Sequence, residues 1–337
     1  MAQQNAHALR TPRMVSVVAP VFDEEQTLEE FHRRVAAALP AGEREFVFVD
    51  DGSTDGSPAI LERLRATDPH LRVVTLSRNF GHQAALTAGL DHAAGDVVVM
   101  LDADLQDPPE LIPEMIAEWR RGADVVFAVR RTRSGDPRLK VWGARWFYRV
   151  FERVTAIDLE HNSGDFRLVG GPALTALRSM RERSRFLRGM SAWVGFRRAA
   201  IPFDRDPRYA GETKYTPRRM LRFSMDAITS FSHVPLQFAT LMGFVFSALA
   251  FLAIPIAIGL KIAGEFVPGI TTVLLAVLLL GGIQLITVGI IGEYLGRVYE
   301  EVKGRPLYLV REEQGDNAPE RVEEPDASTG RERAASR

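Results

Sequence analysis

The chain has no cysteine among its 337 residues. That absence excludes disulfides, thiolate nucleophiles and cysteine-ligated zinc, so any nucleophile or metal ligand has to be an oxygen or an imidazole. It also fits a reducing compartment. A strong net charge is missing too: 42 Lys and Arg oppose 43 Asp and Glu, a formal net charge of -1. This balance argues neither for nor against nucleic acid, but the charges are unevenly placed. From Arg178 to Arg222 the sequence holds 13 Lys or Arg against four Asp or Glu. The first dozen residues lack the apolar stretch of a cleavable signal peptide, and residues 1–12 are expected to be disordered.

Charge disappears altogether from two long runs. Val234–Leu260 is 27 residues without a formal charge, and Phe266–Gly292 is another 27. Each exceeds the roughly 20 residues that cross a bilayer. Transmembrane helices are expected at 233–261 and 267–293, with Pro255 placed to kink the first. The alternative, a pair of buried core helices, is disfavoured because soluble helices seldom run so long without a charged face. Only Lys261 and Glu265 are charged between the runs, whereas the flank before the first is basic and Arg297, Lys303, Arg305 and Arg311 follow the second. The positive-inside rule then puts the N-terminal domain and both termini in the cytoplasm, on a multi-pass protein of the inner membrane. Residues 294–311 read as a cytoplasmic juxtamembrane segment and 312–337 as a disordered tail, charged and poor in aromatics.

Ahead of these runs, short apolar stretches alternate with amphipathic ones. "MVSVVAP" at Met14, "FVFVD" at Phe46, "RVVTL" at Arg72, "VVVML" at Val97 and "DVVFAV" at Asp124 read as strands. Between them lie helical segments near Glu24–Leu39, Ser57–Asp68, Gln83–Ala94 and Pro108–Arg121. The pattern is a repeated βα unit, an α/β domain with a mostly parallel sheet over residues 13–215. In such sheets ligands sit beyond the carboxyl ends of the strands.

Two strands end in acid pairs: Asp50 and Asp51 in "FVFVDDGSTDGS", Asp102 and Asp104 in "VVVMLDADLQD". A lone pair of aspartates before a turn is usually Asx-turn chemistry; two acidic strand ends on one sheet edge are harder to dismiss. Asp102 and Asp104 stand at i and i+2, so in extended backbone both carboxylates project to one side and can meet one cation. Mg²⁺ or Mn²⁺ takes oxygen ligands and commonly completes its shell with substrate phosphates.

At this point the sequence resembles a known family. "VVAPVFDEE", "FVDDGSTDGS", "LSRNFGHQAALTAGLDHA", "DADLQDPPE", "SGDFRL" and "YAGETKY" are similar, in order, to the motifs of the family 2 glycosyltransferases that charge a polyprenyl phosphate with a sugar. Undecaprenyl-phosphate glucose synthases, dolichol-phosphate mannose synthases and the aminoarabinose transferase of lipid A modification belong to that group. The resemblance covers about Arg13 to Arg311. It implies a GT-A-type, Rossmann-like domain followed by two C-terminal transmembrane helices, and an inverting, metal-dependent transferase at the cytoplasmic membrane face. The implied donor is UDP-glucose, with GDP-mannose as the runner-up, and the implied acceptor is undecaprenyl phosphate. Direct building of a polysaccharide or glycolipid is the other alternative, weakened by the absence of a QxxRW stretch. The bilayer is a further expected partner, a homo-oligomer is in keeping with relatives of this shape, and no nucleic acid is expected.

Carried over by motif, the resemblance implies that Pro20, Asp50, Asp51 and Asp102 line the nucleotide-sugar pocket. Asp102, Asp104 and Gln106 match the DxDxQ site for Mg²⁺ or Mn²⁺ and diphosphate. Arg130 matches an arginine near the diphosphate, and Asp165 a carboxylate on the acceptor side. Arg205, Arg208 and Lys214 fall in a late basic loop that closes over phosphates. The residues alone leave other readings open: Arg130 as a surface residue, Asp165 as a turn cap, His82 and His161 as structural. "AGETK" lacks the GxxxxGK[ST] spacing of a phosphate-binding Walker loop. Asp107 and Glu110 read as cap and first-turn acids. A basic amphipathic helix through Leu139–Val154 and an interfacial helix at 216–232 are expected to bring the domain to the membrane surface.

Overall fold

The computed structural model describes residues 10–39, 42–131, 163–204, 234–263 and 269–315. Arg205, Arg208, Lys214, His161, the amphipathic segment at 139–154 and the interfacial helix at 216–232 lie outside the described residues.

Eight strands form one sheet: β1 (Met14–Val21), β2 (Glu43–Asp50), β3 (Leu71–Leu76), β4 (Val97–Met100), β5 (Val125–Arg130), β6 (Ser163–Gly170), β7 (Arg198–Phe203) and β8 (Val310–Gln314). Their order is β7-β5-β6-β4-β1-β2-β3-β8. The expected parallel set holds for β1 with β2 and β4, and for β2 with β3. Between them run α1 (Leu28–Ala38), α2 (Ser57–Thr67) and α3 (His82–His92), and α4 (Ile112–Arg120) leads into β5. These strands are apolar on both sides because helices cover both faces. One core gathers Phe31, Leu61 and Met115 with Val17 and Phe48; the other gathers Leu86, Leu174 and Met190 with Val18 and Val98.

The strands do not lie in the order of the sequence. The strand "DVVFAV" does not join β4. Instead β6, containing the "SGDFRL" motif, wedges between β4 and β5 and runs antiparallel to both, with Met100 opposite Arg167 and Phe127 opposite Arg167 on the other side. The reversal has a chemical result: the start of β6, not its end, lies at the carboxyl edge of β4 and β5. Asp165 therefore arrives at the edge where Asp102 already stands.

Helix α3 lies unusually close to the sheet. A Cβ at Gly89 would come within 2.2 Å of a Val18 methyl carbon, so only glycine fits this crossing. The close approach sets the axis along which α3 aims its first residues, His82 and Gln83, at the same edge.

After β6 come α5 (Gly171–Ser179) and α6 (Leu187–Trp193), then β7. Both uncharged runs are helices: α7 (Val234–Ile262) and α8 (Ile270–Val302). Helix α8 continues nine residues past the expected limit at 293. Among the described residues one stretch, Leu279–Val302, is long and apolar enough to cross a membrane by length and composition. Beyond α8 the chain returns to the sheet, where β8 pairs antiparallel with β3. Residues 312–314, expected in a disordered tail, are thus strand, because the open edge of β3 supplies unsatisfied backbone partners. Tyr308 seals the return by donating from its hydroxyl to Asp91 at 2.9 Å. At the other end, residues 10–12 are also ordered beside the domain, with Arg10 bonded to Asp124 at 2.7 Å.

Candidate active site

The expected site residues on β1, β2, β4, β5 and β6 meet at one sheet edge, with α3 and α6 contributing from one face. Pro20, next to last in β1, is a buried residue beside Val49 of β2. Asp50 and Asp51 are both 2% exposed. Asp50 accepts the Ser53 N–H at 2.9 Å, and Asp51 accepts those of Phe80 at 2.7 Å and Gly81 at 2.9 Å. Burial raises the Asp51 carboxyl above its usual range, against the pull of those two backbone donors. Asp51 thus ties the loop after β3 to the sheet and fixes the backbone from which α3 starts.

Asp102 follows β4, and Asp104 accepts the N–H of Gln106 at 3.0 Å across a turn in which Leu105 takes a φ of 59°. Gln106 is buried. The Oδ1 atom of Asp102 is buried and accepts no hydrogen bond, although the His82 Nε2 lies 3.4 Å away. Burial, with the neighbouring charges of Asp165, Asp104 and Asp107, pushes the Asp102 carboxyl up to about 6 despite the opposing pull of His82. An orphaned carboxylate oxygen among like charges is what a divalent cation would relieve. No three His, Asp or Glu side chains converge as a ready-made cage among the described residues. The donor set at Asp102 and Asp104 therefore fits an ion that takes its remaining ligands from phosphate oxygens.

Asp165 is the most heavily compensated group. Its Oδ1 accepts from Arg167 Nη2 at 2.9 Å, and its Oδ2 faces His82 Nε2 at 3.3 Å and Gln83 Nε2 at 3.5 Å. Arg188 Nη2 stands 3.9 Å from Oδ1. Burial would raise this carboxyl, but His82, Arg188 and Arg167 together hold it well below the usual range. His82 is driven the other way: burial disfavours its charge, yet Asp102 and Asp165 outweigh that and raise it to about 9.

Arg167 has 0% side-chain exposure and every nitrogen occupied. Its Nη1 donates to Leu187 O at 2.9 Å and Ser191 Oγ at 3.1 Å, its Nη2 to Gly164 O at 3.0 Å as well as to Asp165, and its Nε to Asp165 O at 3.3 Å. Burial lowers its guanidinium to about 10, still charged at neutral pH. Gln83 completes the lattice by accepting the Leu187 N–H at 2.9 Å.

Arg130 reaches the edge but is engaged there. Its Nη2 pairs with Asp107 at 3.1 Å, and Asp107 has 1% side-chain exposure. Asp107 is therefore the buried counter-ion of Arg130 and not a helix cap, since the chain enters a 3-10 turn at Pro109–Leu111 before α4. Glu110 lies in that turn and pairs with Arg34 at 2.7 Å.

His82, Gln83, Arg167 and Arg188 are the residues that sequence reasoning missed. His82 and Gln83 lie in "LSRNFGHQAALTAGLDHA" and Arg167 in "SGDFRL", both stretches recognised for other reasons; only the antiparallel β6 reveals that the two face one another.

The sheet brings the acidic DxD end of β4 opposite the Asp165 carboxylate of β6. The profile of glycosyl transferase family 2 matches residues 16–173, from β1 into α5. The chain is 43% identical over 303 residues to the uncharacterized glycosyltransferase YkcC of Bacillus subtilis (strain 168), covering 89% of this chain and 94% of that one. It is 40% identical over 300 residues to the prophage bactoprenol glucosyl transferase homolog of Escherichia coli (strain K12), covering 88% and 98%. The fold is also similar to that of S. aureus TarS 1-349 in complex with UDP-GlcNAc, at 20% identity and a TM-score of 0.47, covering 64% of this chain and 66% of that one. The chain belongs to the family 2 glycosyltransferases and is an enzyme of that class.

Proposed function

We propose that this enzyme transfers a hexosyl residue from a nucleotide-sugar to a polyprenyl phosphate at the cytoplasmic face of the membrane, with UDP-glucose as donor and undecaprenyl phosphate as acceptor. The observation that carries it is the convergence of Asp102, His82 and Asp165 at the carboxyl edge of the sheet, with an unsatisfied oxygen on Asp102. Support for the acceptor and for glucose comes from a full-length relative named a bactoprenol glucosyl transferase homolog. Support for the cytoplasmic face comes from the excess of Arg and Lys flanking the two uncharged runs, and β8 returns the chain after α8 to the sheet.

The lipid phosphate oxygen attacks the anomeric carbon while the bond from that carbon to the donor diphosphate breaks, and the nucleoside diphosphate departs with the electron pair. Attack opposite to the leaving group inverts configuration. A phosphate monoester is already anionic near neutral pH, so little proton remains to be removed. Asp165 fits that chemistry as an orienting group: a carboxylate held below its usual range by three cations is a poor base. His82, between the two carboxylates, keeps Asp102 and Asp165 from repelling each other. Asp102, Asp104 and Gln106 would hold Mg²⁺ or Mn²⁺, which when bound supplies positive charge to the departing diphosphate. Arg130, anchored by Asp107, borders the same edge as a permanent cation, and Arg205, Arg208 and Lys214 are assigned to closure over the phosphates.

The test is transfer of labelled sugar. Membranes carrying the protein are incubated with undecaprenyl phosphate and, in separate arms, UDP-glucose, GDP-mannose and other nucleotide-sugars, with Mg²⁺, Mn²⁺ or a chelator. Glycolipid from UDP-glucose, lost on chelation, is expected. Transfer from GDP-mannose alone would replace the donor, and metal-independent transfer would remove the role given to Asp104.

A further inference from the structure

We propose that Arg188 is a phosphate-binding residue of this site, a contact that deepens the transfer reaction proposed above and rests on it. Arg188 follows the first residue of α6 and points to the edge where Asp165 stands, with its side chain 21% exposed. Among the described residues the nearest carboxylate oxygen, Asp165 Oδ1, is 3.9 Å from Nη2, beyond hydrogen-bond reach. The Nε atom is buried and has no hydrogen-bond partner among them. Leaving such a donor dry is costly unless a ligand completes it.

Asp165 is hydrogen-bonded by other cations, and Arg188 adds its charge without a hydrogen bond. Its Oδ1 is already bonded to Arg167 at 2.9 Å and its Oδ2 faces His82 at 3.3 Å. Arg188 is thus a third cation beside a carboxylate whose hydrogen bonds come from two others. It is also held in position: the backbone of Leu187, next to it, donates to Gln83 at 2.9 Å and accepts from Arg167 at 2.9 Å, while the guanidinium lies 5.9 Å from the centroid of the Phe186 ring. A fixed planar fork matches two oxygens of a phosphate better than any single acceptor. Two sources can present that group here, the acceptor monophosphate and the donor diphosphate, and both carry the same chemistry.

The experiment compares the full-length wild type with Arg188→Gln and Arg188→Lys, purified in lipid nanodiscs. Direct binding of undecaprenyl phosphate, uncharged undecaprenol and UDP is measured alongside KM and kcat. Arg188→Gln is expected to weaken undecaprenyl phosphate roughly tenfold to a hundredfold, the usual loss for a charge-assisted hydrogen bond, and to leave undecaprenol unchanged. A loss confined to UDP would place the bound phosphate on the donor. Wild-type binding of both phosphates by a folded Arg188→Gln protein would overturn the assignment. If Arg188→Gln does not fold, Arg188→Lys carries the test: it keeps the charge but loses the fork, so phosphate binding falls severalfold, and undiminished binding would overturn the proposal. Should the wild type transfer no sugar from any donor, the proposed reaction falls, while the contrast between undecaprenyl phosphate and undecaprenol still reads Arg188.

Discussion

Arg167 and Asp165, two positions apart on β6, form a buried ion pair at 2.9 Å with the arginine closed off completely from solvent. Residues at i and i+2 of a strand share a face, so the guanidinium can pin the carboxylate from within the same element. If Arg167 acts through Asp165, the two substitutions will not add. Asp165→Asn is expected to lower turnover at least tenfold with nucleotide binding retained, and Arg167→Gln placed on that background to lower it little further. Full turnover by Asp165→Asn would end the orienting role; additive losses in kcat would make Arg167 a purely structural residue.

Asp102 is the least comfortable carboxylate in the domain, raised to about 6 chiefly by burial and with an unsatisfied oxygen. Asp102→Asn should abolish Mn²⁺ binding measured by paramagnetic resonance. At pH 7 it should leave the thermal midpoint unchanged or higher, since a charge disfavoured by the fold has been removed. A lower midpoint together with intact Mn²⁺ binding would contradict both halves.

His82 gives a pH dependence of definite sign. Its folded value, about 9, lies above the usual 6.5, so the charged imidazole stabilises the fold. That contribution is fully present below about 6.5 and lost as the pH rises through about 9. The side chain is 42% exposed, and solvent screening keeps the effect small. Thermal midpoints between pH 6.5 and 9 should fall more for wild type than for His82→Gln; parallel curves would remove His82 from the network.

The return strand can be tested at Tyr308, whose hydroxyl bonds to Asp91 at the far end of α3 from His82. Tyr308→Phe should cost about 1 kcal/mol, the net worth of one hydrogen bond. Ending the chain after Gly304 should cost more, because it also uncovers the edge of β3 along Val73–Leu76. Unfolding in detergent measures both, and a truncated chain as stable as the full one would show that β8 contributes nothing.

The absence of cysteine allows topology to be read from single introduced thiols. Gly269→Cys, just before α8, should react with a membrane-impermeant reagent added from outside the inner membrane, and Gly315→Cys, just after β8, only after the membrane is opened. The reverse pattern, or equal labelling, would refute the proposal that α7 and α8 both cross the membrane.

Much of this was legible in the chain. Runs rich in Val and Phe mark β1, β2 and β4, the last two ending in acids, because a doubly covered parallel strand has no polar face to disguise it. The uncharged runs mark α7 and α8 by their length without a charged face. "SGDFRL" was harder to read as a buried central strand, since Asp165 and Arg167 put two charges on one face, and these are enclosed only because they pair with each other and with His82. Strand β8 was hidden in a segment of charged residues, "VREEQ", that follows no apolar pattern. It is a strand because β3 offers an open edge, and edges lie outside the reach of local pattern.

Sequence alone determined the class of fold, the acidic strand ends, the absence of thiol chemistry and the two long apolar helices, all of which follow from composition and short-range periodicity. Tertiary structure decided which of the acids work together. The order in which strands pair depends on contacts between residues far apart in the chain: Asp102 and Asp165 share His82 only because β6 enters the sheet beside β4 in the reverse direction. The same reversal turns Arg167 from a charge in a motif into the buried clamp on Asp165, and leaves Arg188 beside Asp165 with its Nε unpartnered among the described residues.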